Sequence, residues 1–298
     1  MWYAGSQGHY GYTLDGGENW QIDSLHHPDV EQMEFRSLAV IDRTIFLLNV
    51  GSPAFLFKSE NLGKEWKVVY EERDSAAFYD AMVFWNKSEG IAMGDPTDGC
   101  LSIIVTRNGG NTWNKIPCEQ LPPVHEGEAA FAASNTNIAI HENHTWIVTG
   151  GKKARVFYSP DKGVNWKVMD TPINQGGRMT GIFSTAFWDK DHGIIWGGDW
   201  EDQGNMYKNK ALTKDGGKSW QLIADGKSPG YRSCVQYRPN AWGKEVISVG
   251  IPGISYSVDG GVGWEQLSDA PYYTARFSPS GNVVWLAGKN KIGKMQLK

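Results

Sequence analysis

Apolar residues in this chain fall in short runs and not in a helical rhythm. Residues 35–40 (FRSLAV), 44–50 (TIFLLNV) and 54–57 (AFLF) follow one another with only a few turn residues between them. The same spacing returns at 146–149 (WIVT) with 155–158 (RVFY), and at 246–249 (VISV) with 254–256 (ISY). Residues 78–84 (FYDAMVF) and 183–187 (FSTAF) read as further strands of the kind that opens each group. Runs of this length, bounded by Gly, Pro, Asn and Asp, predict β-strands, and no window of ~11 residues carries an apolar stripe of helical period.

Between the strand groups one octapeptide recurs. Residues 13–20 (TLDGGENW), 59–66 (SENLGKEW), 106–113 (TRNGGNTW), 159–166 (SPDKGVNW), 213–220 (TKDGGKSW) and 257–264 (SVDGGVGW) share the pattern [S/T]-x-[D/N]-x-G-x-x-W. Their tryptophans, Trp20, Trp66, Trp113, Trp166, Trp220 and Trp264, lie 44 to 54 residues apart. The chemistry is that of a hairpin turn. An Asp or Asn side chain folds onto the amides just ahead, Gly takes a left-handed backbone cheaply, and Trp opens the next strand and buries a large ring. Three strands before each box and one after it make a four-stranded blade, and the period is that of a propeller.

The ends set the blade count. Residues 2–5 and 9–12 match second and third strands with no first strand before them, which points to native sequence upstream of Met1. Residues 273–277, 283–286 and 292–297 supply first to third strands without a box or a fourth. The expectation is an all-β chain, one propeller domain over residues 1–298, with seven blades and six as the alternative. Residues 94–99, 118–128 and 197–209 read as loops.

Composition narrows the function classes. Lys+Arg 29 against Asp+Glu 33 gives a net charge of −4, which disfavours a nucleic-acid partner. No apolar run is long enough to span a membrane, and the opening residues are not those of a signal peptide. Cys100, Cys118 and Cys234 are scattered, which argues against a disulfide framework and against a C-x-x-C metal site. No Gly-rich phosphate loop joins a strand to a helix, so no nucleotide cofactor is expected. His141 and His144 lie outside any helix and do not form a zinc motif, and the acidic loops at 94–99 and 199–202 match no EF-hand. No metal and no cofactor are expected.

The boxes resemble those of Asp-box (BNR-repeat) proteins, a group that includes sialidases, other glycoside hydrolases and YCF48-like photosystem II stability/assembly factors. The order of residues 35–38 (FRSL), 78–82 (FYDAM), 94–96 (GDP), 127–134 (GEAAFAAS), 181–184 (GIFS), 197–199 (GGD) and 230–233 (GYRS) more nearly resembles that of bacterial YCF48-like proteins, which are often loosely labelled oxidoreductases. The resemblance implies a propeller and a periplasmic or secreted location. It fixes no chemistry, because propellers host many functions.

Two readings of the site follow. In a propeller the first strand of each blade lines the channel, so Arg36, Tyr79, Asp80, Glu128, Ser184, Tyr231, Arg232 and Arg276 are expected to converge there. Alternation along a strand would set Arg36, Asp80 and Arg232 on one wall. The leading reading is a non-catalytic binding or assembly propeller whose partner, a protein or a glycan, docks on one face. It assigns ligand contacts to Arg36, Tyr79, Ser184, Asp199, Trp200 and Arg232, with guanidinium forks suited to carboxylates. The alternative is a sialidase-like glycoside hydrolase in which Asp80, Glu128 and Tyr231 are catalytic and Asp95 or Asp199 are further carboxylate candidates. Residues 35–38 depart from the sialidase Phe/Tyr-Arg-Ile/Leu-Pro motif by lacking its Pro.

Overall fold

The computed structural model describes residues 1–297. The fold is all-β: seven antiparallel sheets, the blades of a seven-bladed β-propeller. Among the described residues the only helix is a three-residue 3-10 turn, Cys118–Gln120. The chain divides into two compact units, Met1–Pro123 and Val124–Lys298.

The first unit holds three blades. Blade one has three strands, Trp2–Ala4, His9–Tyr12 and Gln21–Ser24. Blade two has four, Phe35–Ile41, Thr44–Asn49, Ala54–Ser59 and Lys67–Glu72. Blade three has Tyr79–Phe84, Gly90–Thr97, Cys100–Thr106 and the short Asn114–Lys115. The second unit holds four blades. Blade four is Ile138–His141, His144–Val148, Arg155–Ser159 and Lys167–Asp170. Blade five is Thr180–Phe187, Gly193–Asp199, Lys210–Thr213 and Gln221–Leu222, extended beyond its first strand by Gly150–Gly151 and Glu128–Ala129 into a six-stranded sheet. Blade six is Cys234–Tyr237, Val246–Gly250, Gly253–Ser257 and Glu265–Ser268, and blade seven is Thr274–Phe277, Val283–Gly288 and Lys291–Gln296.

The apolar runs are continuous because a strand inside a stack of blades is buried on both faces. In blade two Leu47 packs toward blade one with Tyr10, Phe35 and Phe57. Its neighbours Phe46 and Leu48 pack toward blade three with Met82, Phe84 and Trp113. The core is therefore a series of layers between blades. Phe46 stacks on Phe84 with ring centroids 4.7 Å apart, and Trp146 on Phe187 at 3.7 Å.

Each box is the turn between the last two strands of a blade and is closed by its own side chains. In blade five the Thr213 hydroxyl donates to Asp215 Oδ1 at 2.8 Å and accepts the Gly217 amide at 2.8 Å, while Asp215 Oδ1 accepts the Ser219 amide at 2.9 Å. The box also docks on its neighbour. Gly110 has φ +73°, and a Cβ there would lie 2.2 Å from the Phe46 ring of blade two, so this position needs glycine for space as well as for conformation.

Four details differ from the sequence expectation. Residues 94–97 are not loop but the end of a strand, carried past a register shift between Leu101 and Ser102. Gly197–Asp199 likewise finishes a strand, so the loop there is shorter than expected. The box tryptophans do not all bury their rings: Trp113 is buried, whereas Trp66, Trp166, Trp220 and Trp264 are half-buried. They stand one residue before the fourth strand, at the outer margin of the sheet. Finally, Cys100 and Cys118 form a disulfide, with Cα atoms 5.6 Å apart, and Cys234 is free and buried. Spacing does not reveal this pair, because only the antiparallel return after the box in blade three brings Cys118 back to the head of the third strand.

Candidate functional site

First-strand residues do not simply alternate. In blades two, three and five the register slips by one residue, and Arg36, Asp80 and Phe183 are the extra residues. A bulge re-aims the side chain it carries, and the three fates differ. The Arg36 side chain is 44% exposed and pairs with Glu34 at 3.4 Å. Asp80 is fully buried, neither carboxyl oxygen has a hydrogen-bond partner among the described residues, and burial followed by the nearby Asp95 holds its pKa well above the ordinary range. Phe183 lies flat against Phe131 at 3.9 Å.

Tyr79 is consumed within unit one. Its hydroxyl donates to Glu72 Oε2 at 2.6 Å and lies 3.2 Å from the Tyr70 hydroxyl, which also bonds Glu72 at 2.8 Å. Lys115 completes the cluster by pairing with Glu72. Burial raises the Glu72 pKa, but the bonds from Lys115, Tyr79 and Tyr70 outweigh it and leave the carboxylate below its usual value. Burial, then Tyr70, pushes the Tyr79 phenol far up, so it stays neutral.

In unit two Glu128 is locked into a buried fork. Arg155 Nε donates to Oε1 at 3.0 Å and Nη2 to Oε2 at 2.5 Å, Thr149 adds a hydroxyl at 2.6 Å, and the His125 amide adds a bond at 2.9 Å. Sequence reasoning missed Arg155. The available signal was a lone guanidinium in an otherwise apolar third strand, which calls for a buried partner. Arg232 is 2% exposed, and the groups it donates to are all neutral. It donates to Tyr231 O, Ser255 Oγ and Gln266 Oε1 at 2.8 to 2.9 Å, its Nε lacks a partner among the described residues, and burial pushes its pKa down to about 10. Tyr231 is buried edge-on against Phe183 at 4.8 Å, and burial raises its pKa.

The segment after Glu128 explains much of this burial. Residues 130–137 run along the first strands of the unit. Phe131 packs with Phe183 and Tyr231, Thr136 bonds Ser184 at 2.7 Å and accepts the Thr185 amide at 2.9 Å, and Arg276 Nη2 donates to the carbonyls of Ser134 and Asn135 at 3.0 Å. Ser184 is fully buried and also accepts the Val235 amide at 2.9 Å. Asp199 and Trp200 sit at the open end of blade five. Asp199 Oδ1 accepts the Glu201 amide at 2.8 Å, and the Trp200 amide donates to Met179 O at 3.0 Å while the residue is 44% exposed. Tyr207 in the same loop is 65% exposed. The Tyr231 amide donates to Gln203 O at 3.0 Å and the Arg232 amide to Gly197 O at 3.3 Å, so this loop is anchored on the segment that leads into blade six.

Of the proposed set, Arg36 and Trp200 are the members with substantial exposure, Asp199 is half-buried, and the rest are enclosed. Among the described residues no three His, Cys, Asp or Glu side chains are grouped to hold a metal ion, and no helix is long and apolar enough to cross a membrane. His144 is used internally, bonded to Tyr158 at 2.7 Å.

Fold and geometry together define a repeat-built β-propeller whose first-strand polar groups are largely satisfied within the chain. No protein-family model matches it. Over 227 residues, 76% of this chain, it is 24% identical to the chloroplast photosystem II stability/assembly factor HCF136 of Arabidopsis thaliana, of whose length it spans about half (47%). Among solved structures it is similar to YCF48 bound to a D1 peptide, with a TM-score of 0.71 at 16% identity, covering 100% of this chain and 89% of that one. It is also similar to a glycoside hydrolase family 74 xyloglucanase from Xanthomonas campestris, with a TM-score of 0.64 at 14% identity, covering 93% and 46% of the two chains.

Proposed function

We propose that this chain is a non-catalytic propeller that holds a segment of another protein, as an assembly factor does. One observation carries the reading: the groups that hydrolysis would require are enclosed or engaged, while the exposed groups are of the binding kind. Glu128 is locked to Arg155, and Asp80 and Tyr231 are buried. A glycosidase needs two carboxyl groups ~5–9.5 Å apart that a sugar can reach. Exposed Trp200 and Tyr207, on a loop anchored by backbone bonds, offer aromatic surface at low entropic cost. The names of the similar proteins, an assembly factor and a peptide complex, support the same reading.

In this reading Trp200 is the anchor, with Asp199 beside it, and Arg36 is an accessible guanidinium on unit one. The Cys100–Cys118 disulfide supports a periplasmic or secreted location, because such bonds persist in oxidising compartments.

The test is selection of a random peptide library on the immobilised full chain, in parallel with calorimetry against sialic acid, uronic acid and neutral oligosaccharides. Peptides should be enriched, and Trp200→Ala should weaken their binding by ~2 kcal/mol or more, about 30-fold. Turnover of any glycoside, or binding of oligosaccharides alone, would overturn the proposal.

A further inference from the structure

The last strand of blade three is held by very little backbone pairing. It matches its neighbour only at Asn114 and Lys115, whereas the last strand of blade two pairs from Lys67 to Glu72. Past it, Ile116 donates to Ile103 O at 2.8 Å, and then the covalent bond from Cys118 returns to Cys100 at the head of the third strand. The same stretch carries Lys115, which pairs with Glu72 of blade two and donates to Thr97 Oγ1 at 3.0 Å. One covalent bond therefore secures an edge strand and an ion pair between two blades. Cys100 is 2% exposed and Cys118 is half-buried, so an incoming thiol meets the sulfur of Cys118 first.

We propose that the Cys100–Cys118 bond is a redox latch on residues 114–120. A dithiol reductant attacks Sγ of Cys118. The sulfur–sulfur electron pair departs on Cys100, which takes up a proton, and the second thiol of the reductant expels Cys118. The products are two protein thiols and one oxidised dithiol. The segment then detaches and Lys115 leaves Glu72. The blade itself persists, because its third strand stays paired with the second from Cys100 to Thr106. The latch is independent of the binding proposal and is tested without any ligand.

The full chain is compared in two forms: oxidised, and reduced with dithiothreitol, blocked with iodoacetamide and freed of reductant. Each is digested briefly with trypsin, and the cut after Lys115 is followed by mass spectrometry while far-ultraviolet circular dichroism reports the sheets. The reduced chain should be cut there at least ~10-fold faster with its β signal intact, since local opening sets the rate. Cys118→Ser should show the same cut without reductant. If that variant does not fold, the two wild-type forms decide alone. Equal rates in both forms would overturn the latch. So would cutting throughout the chain with loss of the β signal, which would make the bond a staple of the whole unit.

Discussion

A single carboxylate behaves differently here according to what faces it. Asp215 is half-buried in its box. Burial pulls its pKa upward, but the side-chain and backbone bonds from Ser219 and the Thr213 hydroxyl prevail and hold it below the ordinary aspartate value. A lowered carboxyl adds stability that is complete above the unfolded value and fades as acid titrates through the folded one. Two boxes carry Asn61 and Asn108 in the same place, with the same bonds and no titration. Asp215→Asn should therefore cost little at pH 7, whereas Asp215→Ala should cost about 1–2 kcal/mol. Urea midpoints should separate the two variants at pH 7, and the wild type should lose its advantage over Asp215→Asn as pH falls below about 4. Asp80 is the reverse case. With a raised folded pKa, its contribution to stability is complete in acid and is lost as pH rises through that value. Asp80→Asn should raise the thermal midpoint more at pH 8 than at pH 5, and a larger gain at pH 5 would mean that the carboxyl has found a cationic partner.

At the scale of the element, the box is a turn and also the knob that one blade presses into the next. Gly110, in the box of blade three, and Gly99, in the hairpin between that blade's second and third strands, separate those roles. Both have positive φ, +73° and +87°, but a Cβ on Gly110 would strike Phe46 while one on Gly99 meets nothing within 4 Å. Gly99→Ala should cost only the left-handed strain, about 1–2 kcal/mol. Gly110→Ala should cost clearly more, since it adds the displacement of a buried ring at 1% exposure. Guanidinium unfolding of the two variants measures the difference, and equal costs would show that the seam yields freely. The strand groups and boxes were legible at this scale because turn chemistry is local: the side chains that define the turn lie within its own eight residues. The disulfide and the strand at 94–97 were not legible, because both depend on where an antiparallel neighbour begins.

At the scale of the molecule, the seven-blade count could be read from sequence because the boxes act as a ruler and the end strands complete the tally. The candidate site was far less legible. Alternation predicts which way a first-strand residue points, but the bulges at Arg36 and Asp80, and the passage of residues 130–137 across unit two, decide which of them is open. Neither is a pattern of period two. What binds one blade to the next was also hidden, and the tryptophans expose it. Trp146 is fully buried, stacked on Phe187 of blade five, and its indole N–H donates to Gly216 O of that blade's box at 2.8 Å. Trp242 is 81% exposed on the turn that follows the first strand of blade six. In a repeat protein, cooperativity resides in nearest-neighbour interfaces, so the two residues should differ in kind as well as in degree. Trp242→Ala should leave the urea midpoint within about 0.5 kcal/mol of wild type. Trp146→Ala should cost ~3–5 kcal/mol and should also broaden the transition, because blades four and five then separate before the rest of their unit. Trp146→Phe, which keeps the stack and loses the hydrogen bond, should cost about 1 kcal/mol and keep the transition sharp. A sharp, merely shifted transition for Trp146→Ala would show that this seam carries stability without carrying cooperativity.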